Sequence, residues 1–179
     1  MYLIVTRTFP PDIGGMQNLM WGLTRSFSKH HMVKVFADYA DNHKKFDESV
    51  AFSIERIGGA KVLRKFRKAY LINEFLKNNK NIKGIIADHW KSLELIETDK
   101  KKICLIHSKE INHDKGSNLN KRVLNVLNNV DHVVANSEYT KNLAINCDVN
   151  PNKITVINPG VNQAKELNKK TIKEAENLL

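Results

Sequence analysis

Residues 9–15 read Phe-Pro-Pro-Asp-Ile-Gly-Gly, between an apolar run at residues 2–6 and a stretch carrying Met16, Leu19, Met20, Leu23 and Phe27 at spacings of three and four. Paired glycines at the head of a helix let backbone N–H groups approach a ligand without a side chain in the way, and the helix N-terminus adds partial positive charge suited to a phosphate. Gly14 and Gly15 are therefore candidate ligand contacts. The same dipeptide also serves as a plain strand-to-helix turn. It has neither the Gly-x-Gly-x-x-Gly spacing of a dinucleotide loop nor the Lys-Ser/Thr of a P-loop. His89 and His107 each follow a short apolar run, residues 84–87 and 103–106. In an open α/β sheet the carboxyl ends of such runs are where ligands bind, although a lone histidine also serves a purely structural role.

A second chemical feature is basic. Lys61, Arg64, Lys65, Arg67 and Lys68 fall within eight residues, interleaved with Val62, Leu63, Phe66 and Tyr70. A basic amphipathic helix suits an anionic membrane surface, and it equally suits a solvated helix covering a sheet. The whole 179-residue chain carries a formal net charge of +10, which favours anionic partners: nucleic acid, an acidic membrane surface or a phosphorylated small molecule. At 7% aromatic residues, with no interleaved basic-aromatic pattern, nothing points specifically to single-stranded nucleic acid.

These residues need a frame that presents them together. Short apolar runs at residues 2–6, 33–37, 50–57, 84–87, 103–106, 133–135 and 154–157 read as strands. Between them, residues 16–27, 61–77, 90–96, 119–130 and 137–146 read as helices, with Ser137 a candidate N-cap. In residues 61–77 the packed face is read as Val62, Phe66, Ala69/Tyr70 and Asn73/Leu76. Residues 38–48 and 109–116 read as variable loops. Alternation of this kind predicts a single Rossmann-like domain, a doubly wound and mainly parallel sheet with helices on both faces. A 41% hydrophobic, 27% charged composition at this length suits one domain with a buried core. No run of about 18 apolar residues is present, and the N-terminal run lacks the basic flank and small-residue cleavage site of a secretion signal, so a cytoplasmic protein is expected. Cys104 and Cys147, outside any Cys-x-x-Cys, are expected to be free buried thiols rather than a disulfide or metal site.

Four of these segments, in order, resemble glycosyltransferase family 4, also called group 1. They are Phe9-Pro10-Pro11-Asp12-Ile13-Gly14-Gly15; Ile103 to Ser108, a strand ending in histidine and a small residue; Val133 to Lys141, an apolar strand, a serine and the following helix; and Pro151 to Asn162. The last departs from the family's Pro-Asn-Gly-Val-Asp turn, reading Asn158-Pro159-Gly160-Val161-Asn162. The resemblance covers residues 1–162 and implies the N-terminal, acceptor-side half of a GT-B fold. It implies a retaining, metal-independent transfer from a nucleotide-sugar donor, a co-substrate rather than a bound cofactor, to a sugar or glycolipid acceptor. Asp12, Gly14 and Gly15 would lie at the substrate or diphosphate, and His107 beside the transferred sugar as the catalytic residue. His89, Trp90 and Ser137 would bind the acceptor, Trp90 by offering a flat face to a sugar, although simple packing explains His89 and Trp90 as well. No Asp-x-Asp motif is present, so no metal site is expected.

The resemblance also implies a second domain that holds most of the donor and carries a Glu-x7-Glu pattern. Residues 163–179 are expected to be a helical connector or the start of that missing domain, and the chain alone to be inactive. Enzymes of this type often act on cell-envelope glycans, which keeps a peripheral position on the inner face of the cell membrane in view. A different class of function stays open: a non-catalytic binding or regulatory module with the same fold, which would bind acceptor without turnover even with a donor domain supplied. A nucleic-acid role rests on charge alone and would require sequence-selective binding.

Overall fold

The computed structural model describes residues 1–160. Strands β1 (Tyr2–Val5), β2 (Val33–Asp38), β3 (Ser53–Ile57), β4 (Gly84–Ala87), β5 (Lys101–Ile106), β6 (His132–Ala135) and β7 (Ile154–Val156) form one sheet in the order β3-β2-β1-β4-β5-β6-β7. Every neighbouring pair is parallel. The order reverses at β1, so the chain winds outward first to one side and then to the other, and β1 and β4 flank the switch point where open α/β sheets leave a crevice.

Register converts sequence alternation into two cores. Val5 lies opposite Phe36 on one side and Ala87 on the other; Ala87 lies opposite Cys104, and Cys104 opposite Val133. That row belongs to the larger core, with Ile72 and Leu76 of helix α3 (Lys61–Asn78) and Val123, Val126 and Leu127 of α5 (Asn118–Asn128). One residue earlier, Ile4, Val35 and Ile86 face the opposite side and pack with Met20, Leu19 and Leu23 of α1 (Gly15–Ser28). Each fully buried aliphatic side chain stabilises the fold by about 1.5–3 kcal/mol, which is why register is fixed so firmly here. Both cysteines are buried and free, as their contexts predict.

Two helices form where the sequence reads as loop. Helix α2 (His43–Glu48) buries no residue completely, so it has no apolar stripe to reveal it, yet Phe46 packs edge-on against Trp21 at 5.2 Å. Helix α4 (Ser108–Ile111) is a single turn directly after β5. Helix α6 (Glu138–Asn146) starts where Ser137 predicts, its hydroxyl accepting from the Thr140 N–H at 3.2 Å. Helix α3 lies where expected but is rotated about its axis. Lys68, Ala69, Ile72 and Leu76 face the sheet, whereas Val62, Phe66 and Tyr70, read as part of the packed face, point outward. Val161, Asn162 and the expected connector at 163–179 lie outside the described residues.

Candidate active site

The carboxyl ends of β1, β4 and β5 carry the residues that the sequence singles out, and a buried carboxylate ties the loops after β1 and β4 together. Asp88, the first residue after β4, is 3% exposed. Its Oδ2 accepts from the Thr6 hydroxyl at 2.7 Å and the Arg7 N–H at 2.9 Å, and its Oδ1 accepts from the Ser92 hydroxyl at 3.0 Å. One side chain thus fastens the loop after β1 to the loop after β4. Farther along, Phe9 is buried against Trp21 and Phe46, and the Arg56 guanidinium donates to both the Pro10 carbonyl and Asp47 of α2. The Phe-Pro-Pro loop is therefore held from two directions before it delivers Gly14 and Gly15 to the start of α1. A Cβ added at Gly15 would meet nothing within 4 Å, so that residue opens onto free space. Asp12 is exposed on the same loop.

His107 follows β5 immediately, and its backbone N–H donates to the Glu110 Oε1 at 3.1 Å. The His107 ring helps line an apolar cavity of about 290 Å³, with Leu105 and Val134 from the sheet and Leu23 from α1. Its Nε2 is buried and has no hydrogen-bond partner among the described residues. Burial pushes the His107 imidazole below its usual pKa, against the opposing pull of Asp88, so the ring is neutral near pH 7.

His89 and Glu110 meet at 3.8 Å between Nε2 and Oε2. They do not form an ion pair. Burial, reinforced by the cations of Arg7 and Lys91, pushes His89 down to about 3. Burial likewise raises the Glu110 carboxyl to about 8. Both are mainly uncharged at neutral pH, and the His89 Nδ1 accepts from the Lys91 N–H at 3.0 Å, which places the ring proton on Nε2.

Three expectations change. Trp90 is 0% exposed, its indole N–H donating to the Glu110 carbonyl at 3.0 Å, so no flat face is left for a sugar. It positions α4 instead, with Lys91 and Arg122 each set over its ring. Lys68 does not face a membrane: its ammonium is buried, donating to the Thr6 carbonyl at 2.7 Å and pairing with Asp38 at 2.5 Å. Arg64 also turns inward, donating to the Gly59 carbonyl at 3.2 Å, with Asp38 at 3.7 Å. Arg67 donates to the Gly58 carbonyl, fixing the turn before α3, while Lys61 and Lys65 rim a second cavity described below. The Ser137 hydroxyl accepts from the Thr140 N–H and lies within donating range of the Thr140 hydroxyl and the Asn136 side-chain oxygen, so its hydrogen bonds are local ones. Asp88 and Glu110 were the residues that sequence reasoning left out as functional supports. The only signal for Asp88 was its place directly after a strand.

Among the described residues, no three His, Cys, Asp or Glu converge to hold a metal ion, and no helix is long and apolar enough to cross a membrane.

The crevice at the switch point of a parallel sheet and the glycine-headed helix after its first strand match the N-terminal half of the GT-B fold. The chain belongs to glycosyltransferase family 4, whose family model matches residues 13–165. Among solved structures it is similar to Anabaena HepE in complex with UDP-glucose, at 15% identity and a TM-score of 0.74, over 99% of this chain and 50% of that one. A glycosyltransferase from Rickettsia africae ESF-5 aligns at 17% identity and a TM-score of 0.67, over 99% of this chain and 49% of that one. The UDP-GlcNAc 2-epimerase from Methanocaldococcus jannaschii aligns at 14% identity and a TM-score of 0.60, over 89% and 46%. The chain therefore spans about half the length of the solved structures it matches. That an epimerase is among them means that the fold alone does not fix the reaction. No curated protein sequence matches the chain.

Proposed function

We propose that this domain forms the acceptor-side wall of a glycosyltransferase that moves a sugar from a nucleotide-sugar to a sugar or glycolipid acceptor, with a donor-binding domain supplying the opposite wall. The observation that carries the proposal is His107: a neutral imidazole at the carboxyl end of β5, facing a cavity, with its buried Nε2 unpartnered among the described residues. An uncharged ring offers a hydrogen bond to a sugar hydroxyl without adding charge beside a developing oxocarbenium ion. Gly14 and Gly15 are assigned to the donor diphosphate or acceptor, where open space above Gly15 and the N-terminus of α1 favour an anion. Retention of configuration and independence of a metal are part of the proposal; the latter is supported by the lack of an Asp-x-Asp motif. Basic side chains and helix dipole then offset charge on the leaving diphosphate. Asp12 and His89 remain assigned to substrate contact. The outer face of α3 is assigned to the surface of an anionic membrane, and the domain alone to an inactive state.

The test is transfer from a panel of nucleotide-sugars by the reading frame that carries this chain, with the donor-side domain supplied. His107→Ala is expected to lower kcat/KM by about 10²-fold with the fold intact. Gly15→Val is expected to do the same, because the structure has room for the side chain and only a ligand would be displaced. Unchanged rates for both variants would remove the site assignment.

A further inference from the structure

A second cavity, of about 380 Å³, opens between the first turns of α3 and the loop after β4. Its walls carry Arg7, Lys61, Arg64, Lys65, Lys68 and Lys91, against one lining carboxylate, Asp38. Asp38 is already engaged by Lys68 and Arg64. Lys65 reaches only the flank of Glu94, at 3.8 Å, and Glu94 is held mainly by Arg122 at 2.6 Å. Among the described residues, Arg7, Lys61 and Lys91 have no carboxylate in ion-pair range, so cations from three separate elements converge without being neutralised. Gathering like charges in a concave, partly desolvated space costs free energy unless an anion occupies it. The Lys91 ammonium is pushed below its usual pKa by burial and by the neighbouring cations of Arg7 and Arg122, against the pull of Glu94. The Arg64 Nε is buried and unpartnered among the described residues, and α3 is preceded by Ala60, which offers no side-chain cap, and has no acidic residue in its first turn.

We infer that this cleft binds a phosphoryl group carried by the acceptor, so that the acceptor is a phosphorylated sugar or a phosphate-bearing lipid headgroup rather than a neutral glycan. The word acceptor rests on the transferase reading; the binding itself does not, and it is measured without donor or turnover. Two chemistries share the phosphoryl group, a soluble phosphomonoester and a lipid phosphodiester, and separate probes tell them apart.

The experiment is calorimetric titration of the full chain with glucose 6-phosphate and, separately, with dihexanoyl phosphatidylglycerol below its micelle concentration, with glucose as the neutral control. Saturable binding of one probe and none of glucose is expected, and the probe that binds names the acceptor type. Arg7→Gln/Lys91→Gln is expected to weaken that binding at least tenfold, and Lys61→Gln alone to weaken it in the same direction. Among the described residues the side chains of Arg7, Lys61 and Lys91 make no hydrogen bond, so both variants should keep the thermal midpoint of the parent. Lys29→Gln/Lys83→Gln removes equal charge at the opposite, amino end of the strands and should leave binding within twofold. Absence of saturable binding to both probes overturns the inference, as does an equal loss in the Lys29/Lys83 variant. Binding of the phosphate probe by the chain, with no sugar transfer once the donor-side domain is supplied, would instead remove the transferase reading while leaving the cleft assignment in place.

Discussion

Glu110 is the residue whose protonation matters most to this site. Its Oε1 accepts from the His107 N–H, and its backbone carbonyl accepts from the Trp90 indole, so it anchors both strand-end loops. A carboxyl raised from 4.5 to about 8 stays protonated in the fold over a pH range where the unfolded chain ionises. Its contribution to stability is fully present below pH 4.5 and is lost as pH rises toward 8, to an extent on the order of 5 kcal/mol. His89 works in the other direction. Lowered to about 3, it stays neutral in the fold while the unfolded chain protonates below 6.5, so its contribution is lost as pH falls from 6.5 toward 3. Glu110→Gln keeps an acceptor for the His107 N–H and removes the ionisation. Thermal melts at pH 5 and pH 8.5 should show a smaller drop in this variant than in the parent; an equal drop in both would place the titration elsewhere.

At the scale of elements, what could be read in the sequence followed from whether an element buries a stripe or completes a local cap. The seven strands were legible because each is a short apolar run between punctuated segments, and the parallel sheet followed from their alternation with helices. Ser137 was legible because capping is a local device: one hydroxyl and an N–H three residues on. Ser137→Ala should cost about 1 kcal/mol and lower the thermal midpoint by roughly 2–4 °C, whereas Ser137→Asp, which caps equally well, should restore it. If Ser137→Asp were as unstable as Ser137→Ala, packing rather than the cap would be at work. The helices α2 and α4 escaped notice because neither carries a stripe; tertiary partners such as Trp21 hold α2 in place. The rotation of α3 was hidden for another reason. Lys68 counts as polar in any periodic reading, but Asp38 and the Thr6 carbonyl, distant in sequence, draw it into the interior. For Trp90 the sequence left packing and sugar contact both open, since only the fold brings the Glu110 carbonyl and the Arg122 guanidinium to its ring.

The rotation of α3 redistributes charge and apolar surface over the whole molecule. Turning Arg64 and Lys68 inward builds the cation-lined cleft, and turning Val62, Leu63, Phe66 and Tyr70 outward leaves an apolar ridge 50–80% exposed beside it. Lys61, Lys65 and Arg67 flank that ridge. Each such cation near an anionic leaflet contributes about 1 kcal/mol, and shallow insertion of the four apolar side chains adds a few kcal/mol more. Their sum, about 5–6 kcal/mol, corresponds to a partition constant on the order of 10⁴ M⁻¹, enough for reversible rather than permanent attachment. Cleft and ridge share one helix, so a bilayer held by the ridge would bring a phosphate-bearing headgroup to the cleft. Sedimentation of the chain with vesicles of phosphatidylglycerol and phosphatidylcholine should therefore exceed sedimentation with phosphatidylcholine alone, and should fall as salt rises. Phe66→Ser/Tyr70→Ser, both exposed, should reduce the bound fraction severalfold without lowering the thermal midpoint. Equal sedimentation with neutral and anionic vesicles would refute the membrane assignment and leave the ridge as surface for another partner, because the positive charge that surrounds it could not then be acting on lipid.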